Sequence, residues 1–207
     1  APVGMAAREY LHIEDDYLIQ IGLTPNRVDA ASHIGVARDL AAYLRAKGDA
    51  EARVLWPDVS AFAVDDHALE IGVTVENAEA APRYTGVTIT GCKIGPSPDW
   101  MQNALRAAGI HPKNNLVDIT NYVMLATGQP THAFDSDHIA GHVIVRRAGE
   151  GEKLLLLNGK ELTMTSDDLT IADDAGVVGL AGVMGGAKDS ILPTTCLLYT
   201  SDAADEL

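Results

Sequence analysis

A helix with a forced ending constrains this chain more than any other stretch. Residues 114–135 read NNLVDITNYVMLATGQPTHAFD, and Val117, Ile119, Tyr122, Val123 and Leu125 supply an apolar face. Gly128-Gln129-Pro130 then closes the helix. Glycine tolerates the left-handed conformation just past the last turn, and proline cannot continue it. The chain has to turn there, and His132 is expected in a constrained loop. Asp118, Thr120 and Asn121 sit among the apolar positions, where they are costly unless they bond something. Two readings stay open for them: bonds to backbone inside the fold, or a small-ligand pocket at the helix edge. Taken alone, His132 reads equally as a satisfied core or loop histidine.

The remaining pattern is one of many short strands and two further helices. Residues 17–24 (YLIQIGLT) read as a strand, with Thr24-Pro25-Asn26 as the turn after it. Asp29 is placed to cap a helix whose stripe is Ile34, Val36, Ala37, Leu40, Ala41 and Leu44, ending near Gly48. Residues 49–68 are irregular and acidic. Residues 69–75 and 84–94 alternate as strands do, with Glu76 to Pro82 as the loop between them. Cys92 reads as a small buried strand residue. Ser97-Pro98-Asp99-Trp100 opens a helix, with serine as cap, proline in the first turn, and Gly109 as its end. Residues 142–147 form another strand. Asn158-Gly159 signals a two-residue hairpin, and Asp173 to Gly176 a second one. The sum is an α+β fold with mixed or antiparallel sheets and three main helices.

Composition narrows the class. The chain has 207 residues, 47% hydrophobic and 21% charged, enough for a real core. No apolar run approaches the roughly 18 residues of a membrane span, and no basic-then-apolar leader opens the chain, so a cytoplasmic protein without membrane contact is expected. Two cysteines, Cys92 and Cys196, are too few and too far apart for a disulfide scaffold or zinc site. With 29 acidic against 15 basic residues, the net charge is −14. Such a surface does not wrap nucleic acid on its own, because that affinity comes from Lys and Arg meeting phosphates. It remains compatible with contact to one nucleic-acid end presented by a larger assembly. His132, His138 and His142 straddle a turn and a strand start without a cysteine partner, so no metal site is expected. The glycines at 182, 185 and 186 lack the Lys-Ser or Lys-Thr of a phosphate loop.

Three blocks in order carry a resemblance. Asn114 to Asp135 resembles the pattern N-N-x-V-D-x-T-N-Y-V-x-x-x-x-G-Q-P-x-H-A-F-D of the editing domain in the beta subunit of bacterial phenylalanyl-tRNA synthetase. Thr24-Pro25-Asn26-Arg27 with Asp29, then Gly35-Val36-Ala37-Arg38-Asp39, is similar to the segment preceding that domain. Leu180-Ala181-Gly182-Val183-Met184-Gly185-Gly186 is similar to the glycine-rich turn near its end. The resemblance divides the chain into residues 1–48, the end of the preceding module; 49–82, a connection with a strand; 83–195, the editing domain; and 196–207. That last stretch, from Cys196 on, departs from the family pattern and reads as an unrelated, non-native tail on an incomplete domain. The family's V-L-L-E glutamate, which reads a phenol, has no counterpart, since Glu206 lies too far along.

What the resemblance implies is a second sieve. A pocket for phenylalanine rejects an analogue that merely adds a hydroxyl by only about 100-fold. The family therefore hydrolyses tyrosine wrongly joined to the tRNA for phenylalanine. Carried over by residue, the catalytic set is His132, Asn121 and Thr120. Thr120 and Asn121 would bind the amino acid or the terminal adenosine, and His132 would orient water or the ester. His111, Pro130 and Gly182 would line the editing pocket, with His111 standing where many relatives have arginine. The chain itself would need no cofactor. The whole synthetase uses ATP and magnesium, and pairs two alpha with two beta subunits around its tRNA. Two alternatives have different consequences: a structural or interaction module of the synthetase with an inert pocket, or a free-standing editing protein for aminoacyl esters.

Overall fold

The computed structural model describes residues 2–10, 17–188, 191–192, 195 and 197–203. Cys196 and Glu206 lie outside the described residues. The elements run α1 (Ala7–Tyr10), α2 (His33–Ala46), β1 (Val73–Val75), β2 (Tyr84–Thr90), α3 (Asp99–Ala107), α4 (Asn115–Thr127) and β3 (Thr131–Asp135). They continue through β4 (Val143–Arg147), β5 (Lys153–Leu155), β6 (Glu161–Thr163), β7 (Leu169–Asp173), β8 (Gly176–Leu180), β9 (Met184–Gly185) and β10 (Leu197–Ala203). The fold is α+β, and α2, α3 and α4 are its substantial helices.

Two sheets enclose the core. The larger is mixed, in the order β1-β4-β7-β8-β9, with β1 parallel to β4 and the other pairs antiparallel. The smaller is antiparallel, in the order β2-β10-β3. Tyr84 and Phe134 from the smaller sheet pack with Val143, Val145, Ile171 and Val178 from the larger one, and Phe134 is fully buried. Bringing such apolar faces together is the main favourable term in the fold. The β5–β6 hairpin adds a second cluster, Ala148, Leu154, Leu156 and Met164, against Val177, Leu180 and Met184.

The helices meet through specific bonds. Asn114 caps α4 by accepting from Val117 N–H at 3.0 Å. At the other end Gly128 takes φ 84°, and its N–H reaches Met124 O. His33, at the start of α2, donates from Nδ1 to Leu125 O at 3.0 Å, so α2 satisfies a carbonyl that α4 leaves open. Trp100 of α3 stands edge-on to Tyr122 of α4, with centroids 5.3 Å apart.

Several expectations are corrected by the coordinates. Residues 17–24 form no strand; Tyr17, Leu18 and Ile19 are exposed and no neighbouring strand pairs with them. Asp29 does not cap α2. It binds Arg27, and Ser32 Oγ takes the cap by accepting from Gly35 N–H at 3.0 Å. Ser97 does not cap α3 either: Pro98 stands at that position, while Ser97 is buried and bonded to Asp118. Ile119 is exposed, and the buried position of α4 is Asp118. Cys92 lies past the end of β2, half-buried, rather than inside a strand. The Asn158-Gly159 hairpin has a three-residue loop, because Leu156 N–H still reaches Lys160 O and Gly159 adopts φ 79° beyond it. The Asp173–Gly176 hairpin forms as expected, with a two-residue turn in which Asp173 Oδ1 accepts from Ala175 and Gly176 N–H.

Two strands lie across the domain limits drawn from the resemblance. Strand β1, assigned to the connection, hydrogen-bonds to β4 and is part of the larger sheet. Residues 197–203, set aside as tail, form the central strand of the smaller sheet between β2 and β3.

Candidate functional site

The turn forced by Gly128 and Pro130 sends the chain directly into β3, so His132 sits on a strand and not in a loop. This strand runs beside α4, and the β8–β9 turn closes over it. Between them lies a cavity of about 720 Å³. Thr120, Asn121, Pro130, His132 and Gly182 all line it. His111 does not; it is exposed on the connection between α3 and α4. Two residues later, Lys113 lines the cavity instead, and Arg83 lines it too.

Asp118, Thr120 and Asn121 of α4 fall into different surroundings. Asp118 is buried and accepts from Ser97 Oγ at 2.5 Å and from Lys113 N–H at 2.8 Å. It is a structural clasp that fixes the segment before α3 to the first turn of α4. Thr120 lines the cavity and donates its hydroxyl to Val117 O at 2.8 Å, so its oxygen keeps accepting capacity. The Asn121 amide makes no hydrogen bond to the described residues, so its donors and acceptor are available to a ligand.

His132 is held by shape. Its ring meets Phe134 edge-on, with centroids 4.4 Å apart. Across the cavity wall, a methyl group at Gly185 would lie 2.5 Å from His132 Nε2. Only glycine lets the β9 backbone approach so closely. Burial pushes the imidazole pKa down to about 4, so the ring is neutral at physiological pH and offers one donor and one acceptor nitrogen. Gly182 lines the cavity at the β8–β9 turn. Its φ is 68° and a side chain there would meet open space, so it shapes the turn.

Sequence reading passed over Lys113, Arg83 and Gly185. Lys113 was within sight, adjoining the cap Asn114. Gly185 was seen as part of a turn, but its partner His132 is far away in sequence. Much of the remaining wall is apolar: Val117, Met124, Phe134, Ile171, Leu180 and Met184. Such a lining with a few convergent polar groups suits a small ligand with an apolar body. The described residues contain no group of three or more His, Cys, Asp or Glu placed to hold a metal. His142 pairs with Asp174 at 2.8 Å. No helix among the described residues is long and apolar enough to cross a membrane.

Comparison with known proteins agrees with this architecture. The family model of the B3/4 domain matches residues 80–200. A phenylalanine–tRNA ligase beta subunit from Bacteroides fragilis is 45% identical over 201 residues, 97% of this chain and 24% of that protein. The corresponding subunit from Porphyromonas gingivalis is 45% identical over 205 residues, 98% of this chain and 25% of that protein. The chain thus spans about a quarter of the length of the curated relatives it matches. Among solved structures, an N-terminal fragment of the phenylalanyl-tRNA synthetase beta subunit from Pyrococcus horikoshii is similar in fold. Its TM-score is 0.50 at 17% identity, over 86% of this chain and 52% of that one.

Proposed function

This chain belongs to the B3/4 domain family, and from that membership we propose that its cavity edits aminoacyl-tRNA by hydrolysing tyrosine from the tRNA for phenylalanine. The observation that carries the reading is the convergence of Thr120, Asn121 and neutral His132 on one cavity of about 720 Å³. An aminoacyl ester is already activated, so its hydrolysis needs a positioned water and support for developing charge more than a protein nucleophile. Neutral His132 can accept a proton from water or hold it by a hydrogen bond. Thr120 and Asn121 offer the polar contacts that orient the amino acid or adenosine. Pro130 and the Gly182 turn shape the wall.

In the whole subunit, this chain would support aminoacylation of tRNA with phenylalanine as part of an assembly with the alpha subunit and a second beta subunit. ATP and magnesium would serve that step on the alpha subunit, and the residues of this cavity do not fit them: no carboxylate lines it among the described residues. A non-hydrolysable amide of tyrosine with 3′-amino-adenosine tests the cavity directly. Adding it to the chain should shift the NMR signals of Thr120, Asn121 and His132, while the phenylalanine analogue should do so more weakly. Shifts confined to residues outside the cavity would refute the reading.

A second reading, as an interaction module with an inert pocket, is favoured by one observation. Tyr17, Leu18, Ile19, Leu55, Trp56 and Phe62 are all strongly exposed, and such side chains gain by being covered by another polypeptide. Gel filtration with the alpha subunit separates the two: stable co-elution with no ligand response in the cavity would favour the module.

A further inference from the structure

The cavity selects against the composition of its own chain. With 29 acidic and 15 basic residues overall, its described lining holds Arg83, Lys113 and neutral His132 but no Asp or Glu. Lys113 is also pinned. Its backbone N–H is held by Asp118, which is 1% exposed and bonded in turn to Ser97. The Lys113 ammonium makes no hydrogen bond or ion pair with the described residues. A fixed Cα and an unpaired cation at a cavity in an acidic protein create a local positive potential where the surroundings are negative. The polar groups deeper in the site, Thr120, Asn121 and His132, are neutral. Lys113 is exposed whereas Thr120, Asn121 and His132 are partly buried, so the anion that this arrangement fits sits on the exposed side of the cavity, at Lys113.

We propose that Lys113 binds the phosphodiester adjoining the esterified nucleotide, so that the cavity recognises its substrate by backbone phosphate as well as by amino acid. The proposal rests on the editing reading of the cavity. Lysine suits the task as a point charge at the end of a flexible stem, which follows a single-stranded end without demanding one geometry. The carboxylate of free tyrosine, the hydrolysis product, is another source of the same charge, and the test separates the two.

The full chain is titrated with two short single-stranded RNAs ending in adenosine, one natural and one with a neutral methylphosphonate as its last linkage. The natural RNA should bind about tenfold more tightly. Lys113→Ala should abolish that difference, and Lys113→Arg should retain most of it. The slope of log affinity against log salt for the natural RNA should become shallower by about 0.7 in Lys113→Ala. Equal binding of the two RNAs to the unmodified chain, or no RNA binding, would overturn the proposal. So would a Lys113→Ala variant that loses free tyrosine while binding both RNAs unchanged, since the cation would then read a carboxylate. Hydrolysis of tyrosyl-adenosine, which has no phosphate, reports on the editing reading separately. Phosphate discrimination without any ester hydrolysis would sink the editing reading while leaving the rim in place. The Lys113 side chain is exposed, and unchanged circular dichroism of the variant checks its fold.

Discussion

The imidazole of His132 packs directly over the Cα of Gly185, so close that a methyl group there would come within 2.5 Å of Nε2. Gly185→Ala should therefore displace the ring or the strand and destabilise the chain by about 1–3 kcal/mol. In a His132→Ala background, the same change should cost much less. Urea denaturation of the two single variants and the double variant measures the coupling. Effects that add to within about 0.5 kcal/mol would mean the two residues do not touch as described.

The depressed pKa of His132 has a pH signature. Its folded value is about 4, against about 6.5 unfolded. The unfolded chain takes the proton first as pH falls. The stability linked to this group is thus complete above pH 6.5, declines between about 6.5 and 4, and is constant below. The loss is on the order of 3 kcal/mol. His132→Gln should remove this component of acid sensitivity. NMR titration of the ring provides the direct check, with a midpoint near 4 expected and one near 6.5 contradicting the burial.

Ser97 and Asp118 make a buried bond of 2.5 Å across 21 positions of sequence. Ser97→Ala should cost about 1–3 kcal/mol by leaving a carboxylate oxygen short of a donor. Asp118→Ala should cost more, because it strands both the Ser97 hydroxyl and the Lys113 N–H. Hydrogen exchange at the Lys113 amide should accelerate in Asp118→Ala and much less in Ser97→Ala. An unchanged rate would show that Asp118 does not hold that segment.

A third buried bond ties the end of the recognised string to a distant residue. Thr195 donates to Asp135 at 2.6 Å, and both are almost fully buried. Thr195→Val should lower the melting temperature by several degrees, the shift expected of a lost buried hydrogen bond of about 1 kcal/mol or more in a domain this size. A melting temperature equal to that of the unmodified chain would remove Thr195 from the fold's supports.

Local signals were legible in the sequence, and distant ones were not. The stop at Gly128, the Asn158-Gly159 and Asp173–Gly176 turns, and the span of α4 depend on a few adjacent residues. Residues 17–24 have the composition of a strand, yet a strand needs a partner ladder, and none is present among the described residues. Ser97 looks like a helix cap until Asp118 is brought beside it by α4 packing on α3. The place of β10 between β2 and β3 could not be read from CLLYTSDAADEL, because backbone pairing depends little on family pattern. At the site, Thr120, Asn121, Pro130 and His132 lie within 13 positions of each other, so the turn that joins them was visible. His111 was expected on the pocket because of its place in the pattern. The coordinates turn it outward and put Lys113 on the cavity.

Deacylation of tyrosyl-tRNA tests the central claim most directly. The whole beta subunit, assembled with its alpha partner, is incubated separately with the tRNA for phenylalanine carrying tyrosine and carrying phenylalanine. Loss of labelled amino acid is followed for the unmodified protein and for His132→Ala. Rapid release of tyrosine, sparing of phenylalanine, and a His132→Ala rate lower by about 100-fold or more are the expected results. Release of both amino acids at equal rates, or a His132→Ala protein that edits as fast as its parent, would contradict the account.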